Sequence, residues 1–202
     1  MSRRCNAGLR EAIIQTSLEL GSQLGEEGLT MRGIASRLGV SATALYQHFE
    51  SKASILREIR VYGIELLYKA VEPALEEQDP VERLRGVVRR YLDFARANPW
   101  LYSVLMEHDM LEWEQLADED IQRLLRPLSV VRETIRAGKE SGVWRDNLKV
   151  EMSSFQIWAT VHGMCSLLNN GRFSEEHPAY PIPSETSLID EFIEGIVRSL
   201  AK

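Results

Sequence analysis

Residues 30–52 read TMRGIASRLGVSATALYQHFESK. This is where side-chain type and spacing point to a definite chemistry. Ile34, Ala35, Leu38, Val40, Leu45 and Phe49 fall at positions that pack two short helices against a third. Ser41, Ala42, Thr43, Ala44, Tyr46, Gln47 and His48 are left facing outward, carrying hydroxyl, amide and imidazole groups. Thr30, Tyr46, His48 and Lys52 suit contacts to phosphate. Thr43 and Gln47 could reach base edges, and the methyl of Ala42 or Ala44 could meet a thymine methyl. The first turns of both helices also offer backbone N–H groups to an anion. A plainer reading stands beside this one, in which Tyr46 is half-buried with its hydroxyl outward and Gln47 and His48 are merely solvated.

Covalent and acid–base chemistry find no comparable support. No catalytic triad, metal-ligand spacing, phosphate loop or carboxylate pair is present. Glu107, His108 and Asp109 are consecutive, and neighbours one and two apart on a helix do not converge. Cys5 and Cys165 cannot build a disulfide framework or a four-cysteine zinc site. The expectation is a chain with no catalytic residues, no metal and no cofactor, in a reducing cytoplasm.

The elements that must position residues 30–52 follow from periodicity. Leu9, Ile13, Ile14, Leu18, Leu20 and Leu24 form a helical stripe over 9–24, punctuated by Gly25 and Gly28. Thr30 is the N-cap of a second helix that Gly39 closes, the turn asking for a left-handed residue. Ser41 opens a third helix through Phe49, and Ser51 a long fourth one towards Pro73. Helices two and three joined at Gly39-Val40-Ser41 make a helix-turn-helix, the second of them sized for a DNA major groove. Asp79-Pro80 starts a fifth helix with Leu84, Val87, Val88, Tyr91 and Leu92 on its inner face. Further helices are expected at 100–110, 118–142 (with a kink or break near Arg123, caused by Pro127), 150–169 and 188–200. Residues 171–187, with three prolines, read as a loop. No strand pattern emerges, so the fold class is all-α with about nine helices.

Composition sets the outer limits. The 202 residues carry 24 Lys+Arg and 30 Asp+Glu, a net charge of −6, with 44% hydrophobic and 27% charged residues. These values suit one or two globular domains and disfavour disordered and fibrous classes. No apolar run is long enough to span a membrane, and residues 1–10 lack the apolar core of a signal peptide. The charge is unevenly placed. Residues 1–60 hold eight basic and six acidic side chains, net +2, whereas the remainder is −8. A mildly basic head on an acidic body suits an anionic partner for the head.

The spacing of Thr30, Ile34, Ala35, Gly39, Val40, Ser41, Leu45, Tyr46, His48, Phe49, Lys52 and Leu56 resembles the N-terminal domain of the tetracycline-repressor (TetR) family of bacterial regulators. The resemblance is detailed over residues 8–60. Trp158, His162 and Gly163 also look like the Trp…His-Gly signature of one C-terminal subgroup. Carried over position by position, the resemblance implies that Thr30, Tyr46, His48 and Lys52 contact the DNA backbone. It places Arg32, Ser41, Ala42, Thr43 and Gln47 at or near the groove, with Arg3 and Arg4 as a basic arm. It implies a DNA-binding domain over 1–53 and a helical ligand-binding and dimerisation domain over 54–202, helix four being the connector. The implied partners are a double-stranded palindromic operator, a second copy of the chain and a small apolar or amphipathic effector. Repression is the commoner outcome in the family; the alternatives are a DNA-binding regulator working without a small molecule and, less favoured, an enzyme using the helical cavity.

Phe94, Trp100, Met106, Met110, Trp113, Phe155, Trp158 and His162 are candidates to line the implied cavity. Ordinary core packing is the competing account of each. Residues 150–169 are apolar on more than one face, so something must bury them. Ala159 and Gly163 would admit a close helix, and with Leu167, Phe192 and Ile196 they form the candidate dimer interface. Complete burial within one chain is the alternative. A dimer would have to set its two reading helices about 34–36 Å apart, one turn of DNA.

Overall fold

The computed structural model describes residues 2–106 and 118–202, with residues 2–7, 118 and 120 described at the backbone only. Among the described residues there are nine α-helices and no strand. They are α1 Ser2–Gly28, α2 Met31–Leu38, α3 Ala42–Tyr46, α4 Lys52–Val71, α5 Pro80–Ala97, α6 Pro99–Met106, α7 Asp118–Glu140, α8 Val150–Asn169 and α9 Glu185–Leu200. A 3-10 turn, Glu72–Glu76, follows α4. No helix among the described residues is long and apolar enough to cross a membrane.

The ends of the short helices are set by local chemistry. Gly25 interrupts α1 with φ 71° and ψ −176°, a region open in practice only to glycine. The Thr30 hydroxyl oxygen accepts from the Gly33 N–H at 3.0 Å and starts α2. Gly39, at φ 67°, ends α2 in the left-handed conformation, and the Val40 N–H returns to the Ala35 carbonyl at 3.0 Å. Ser41 accepts from Ala44 N–H at 3.1 Å to start α3. Helix α3 stops at Tyr46, three residues before the expected Phe49. The His48 and Phe49 N–H groups both return to Leu45 O, at 3.0 and 3.1 Å, closing a turn instead. Ser51 and Ser54 cap α4 reciprocally, each N–H donating to the other's hydroxyl at 3.2 Å.

The chain divides into two compact units, Met1–Ile64 with Asn98–Ala117, and Glu65–Ala97 with Asp118–Lys202. The division falls after Ile64, inside α4, rather than at 53/54, and α6 groups with the N-terminal unit. Three contacts explain this. A Cβ at Gly21 would lie 2.2 Å from the Trp100 ring, so only glycine admits that indole. A Cβ at Gly63 would meet Leu101 at 2.8 Å. Arg60, only 3% exposed, donates from Nε and a terminal nitrogen to the Val104 carbonyl at 3.1 and 3.0 Å. A buried cation there also faces the negative end of the α6 dipole. The rest of this core is Ile13, Leu29, Ile34, Leu45, Ile55 and Ile59, all fully buried.

The second unit is built around α5, which packs on α7, α8, α9 and the 3-10 turn. Asp79 accepts from the Val81 N–H at 2.9 Å and starts α5, as the Asp-Pro pair predicts. Leu84, Val87, Val88, Tyr91 and Leu92 are buried along it. Helix α7 runs unbroken through Pro127, so the expected break near Arg123 does not occur. Beyond the proline, Val130, Val131 and Ile135 are buried in the core. Trp144 is fully buried over Gly138, where a Cβ would come within 1.7 Å of the indole nitrogen. Outside the core, Arg85 grips Glu194 with two bonds, 2.6 and 2.8 Å, and Arg89 meets Asp190 at 2.5 Å. Arg96 pairs with Glu185, completing a ladder between antiparallel α5 and α9. The Arg85 guanidinium holds the Glu194 carboxyl below the usual carboxylate range.

Candidate nucleic-acid interface

Helices α2 and α3 present the outward set as the spacing predicts. Thr30, Arg32, Ser41, Ala42, Thr43 and Gln47 are exposed, and Tyr46 is 53% exposed despite its large ring. His48, Lys52 and Ala44 are half-buried. Beneath them Ile34, Ala35, Leu45 and Phe49 are buried, which fixes the direction of the outer face. Tyr46 is the most informative of the group. Solvation of an exposed aromatic ring is unfavourable, and an adjacent phosphate or base would cover it. Thr30 and Ser41 use their oxygen lone pairs to cap helices, and each hydroxyl keeps its O–H to donate. The surface thus offers hydroxyl donors on a short helix, and amide and imidazole groups on the turn after it, while the small residues Ala42 and Ala44 permit close approach.

The structure gives the basic residues roles that sequence reasoning missed. Lys52 Nζ donates to the Glu26 carbonyl oxygen at 2.8 Å and lies 3.6 Å from its carboxylate. It therefore ties the end of α1 to the start of α4, and only its remaining N–H groups are left for a phosphate. Arg10 pairs with Glu58 at 2.6 Å and its guanidinium lies 4.5 Å over the Phe49 ring. Arg37 donates to Gln23 at 3.0 Å, joining α2 to α1. With Arg60 buried, four of the eight basic residues of this segment are committed to internal contacts. Arg32 and Arg57 are exposed, and the side chains of Arg3 and Arg4 lie outside those described. The one sequence signal for the Lys52 clamp was Gly25, which ends the regular helix immediately before Glu26.

The candidate cavity residues fall in both units. Trp100 is spent on Gly21 in the first unit, and Met106 ends α6 there. Phe94 is buried at 8% exposure in the α5 core, while Phe155 and Trp158 face outward at 44% and 39%. His162 stacks on Trp158 with ring centres 6.1 Å apart. Met110 and Trp113 lie outside the described residues. Helix α8 instead carries an exposed apolar stripe of Met152, Phe155, Ala159 and Leu167, with Trp158 beside it and Gly163 half-buried among them. A Cβ at Gly163 would meet nothing within 4 Å. Phe192 is half-buried on α9, and Ile196 is 6% exposed, within the core of its own unit.

Comparison with known proteins agrees with this geometry. Residues 13–59 match the model of bacterial regulatory proteins of the tetR family, and residues 84–192 match a tetracyclin repressor-like C-terminal domain. The nucleoid occlusion factor SlmA of Vibrio vulnificus (strain YJ016) is 35% identical over 133 residues, covering 64% of this chain and 68% of that protein. A protein of unknown function from Rhodococcus sp. RHA1 has the same fold, with a TM-score of 0.80 at 20% identity over 96% of each chain. The TetR family transcriptional regulator PfmR from Thermus thermophilus superposes with a TM-score of 0.65 at 26% identity, over 94% of this chain and 96% of that one. With an outward reading face on α2 and α3 and both family models matched, the chain belongs to the tetR family and is a DNA-binding transcriptional regulator rather than an enzyme.

Proposed function

We propose that the chain binds a palindromic operator as a homodimer and that a small effector bound in the second unit releases it. The observation that carries this reading is the exposed apolar stripe on α8 in a chain that also bears one outward reading face. Met152, Phe155 and Leu167 exposed along one helix need a cover, and a second copy supplies it symmetrically. Two copies give two reading faces, which is what a palindrome requires. Release then needs only an effector that binds the DNA-incompetent arrangement better than the competent one. On this reading Thr30, Tyr46, His48 and Lys52 hold phosphates, while Arg32, Ser41, Ala42, Thr43 and Gln47 lie at the groove. Mobility-shift and footprinting assays on the DNA flanking its gene test this: a protected palindrome bound by a dimer is expected. Protection of an asymmetric site by a monomer would overturn it.

A regulator working without a small molecule is the second reading. It is favoured by the likeness to proteins named as nucleoid occlusion factors. A thermal-shift survey of metabolites separates the two, since a specific ligand raises the melting temperature by mass action.

A further inference from the structure

We propose that the α7 face formed by Arg126, Ser129 and Arg132 is a binding site for a small organic anion with an apolar tail, either a carboxylate or a phosphate ester. These residues line a cleft of about 350 Å³ in the second unit, together with Arg123 and Leu125. The three-residue spacing of 126, 129 and 132 places them along one side of the helix. Three arginines line this cleft against one carboxylate, Glu119, so its charge is net positive within a segment of net charge −8.

The guanidinium groups are held in place before any ligand arrives. Arg126 lies 3.9 Å over the Tyr68 ring, and Arg132 lies 5.6 Å over the Phe155 ring. Stacking uses the flat face of a guanidinium and leaves its N–H edge to donate. Arg132 Nε is buried and has no hydrogen-bond acceptor among the described residues. An unsatisfied buried cationic N–H is costly, and the terminal nitrogens of the same guanidinium remain to meet a ligand oxygen. The acidic group in the same cleft, Glu119, lies 3.7 Å from Arg123 and so is matched at the far end. The head therefore belongs at Arg126 and Arg132. Leu125 and the aliphatic stems of the arginines provide the apolar surface for the tail.

For its effect on DNA this site rests on the effector-responsive reading above; as a binding site it does not. The test uses decanoate, decanol and inorganic phosphate with the full chain, by isothermal titration. Decanoate is expected to bind about tenfold or more tightly than decanol, because the alcohol lacks the charge-assisted bonds. Decanoate is also expected to exceed inorganic phosphate, which has no tail. The double variant Arg126→Gln with Arg132→Gln should lose that preference while keeping the native circular dichroism. Arg136→Gln, on the same helix but outside the cleft, should retain it. Equal binding of decanoate and decanol, or of decanoate to wild type and double variant, would overturn the site, as would no saturable binding of decanoate. Operator release by decanoate with full effect in the double variant would sink this site as the place from which decanoate acts and leave the effector reading standing. Decanoate binding at the cleft without any change in operator affinity does the reverse.

Discussion

Lys52 shows how a single side chain can carry two jobs that a sequence presents as one. Its position on the reading face suits a phosphate, yet its ammonium already spends a hydrogen bond on the Glu26 carbonyl at 2.8 Å. Lys52→Ala should therefore lower the melting temperature as well as weaken DNA binding. The stability loss expected for a bond to a charged donor is about 1.5–3 kcal/mol. The dependence of log affinity on log salt should also become shallower by about one unit if Lys52 meets a phosphate. Denaturation and salt titration on the same variant separate the two effects; an unchanged salt slope would confine Lys52 to the clamp. Tyr46 has no such internal duty, with half its surface exposed. Tyr46→Ala should weaken operator binding severalfold with an unchanged melting temperature. Wild-type affinity in a mobility-shift assay would remove Tyr46 from the interface.

At the scale of helices and turns, Gly25 and the α5–α9 ladder decide how the elements meet. Gly25 has φ 71° and ψ −176°, so an added Cβ brings backbone strain even though nothing lies within 4 Å of it. Gly25→Ala is expected to cost about 1–3 kcal/mol, read as a lower denaturation midpoint. Because the kink delivers Glu26 to Lys52, the same variant should weaken DNA binding in proportion. The ladder has a different signature. Arg85 keeps the Glu194 carboxyl below its ordinary value, so the folded state binds fewer protons there than the unfolded one. This contribution is present above the unfolded carboxyl pKa and is lost as pH falls through the folded one. Arg85→Gln should flatten the decline of melting temperature between neutral pH and acid. A decline parallel to wild type would show that the exposed pair contributes nothing measurable.

Across the whole molecule, charge and association are linked. A net charge of −6 conceals a +2 segment ahead of a −8 remainder, and half of the basic residues in that segment turn inward. DNA binding by one subunit should therefore rest on few phosphate contacts, and useful affinity on pairing two subunits. Phe155→Glu on the α8 stripe puts a charge where a partner helix would pack. Light scattering should then report a monomer, and operator affinity should fall by an order of magnitude or more while circular dichroism is kept. A dimer that persists in this variant would place the interface elsewhere.

Much of this was legible in the residues. Helical periodicity, the caps at Thr30, Ser41 and Ser51, and the glycine at 39 depend on neighbours within four positions, so the sequence displays them directly. For the same reason the outward set from Ser41 to His48 could be named from the buried residues between its members. What it could not display was which long side chains turn back on the protein. Arg10, Arg37, Lys52 and Arg60 look like one basic population, and only their partners, 14 to 48 residues away in the chain, separate clamp from contact. The surroundings of the aromatic residues were illegible for a related reason. Trp100, Phe94 and Phe155 are equally apolar, so hydrophobicity alone cannot tell a ring seated on a glycine from one in a core or one left in solvent. Tertiary packing made that division, moved α6 into the N-terminal unit, and set two arginines of α7 over aromatic rings beside a cleft.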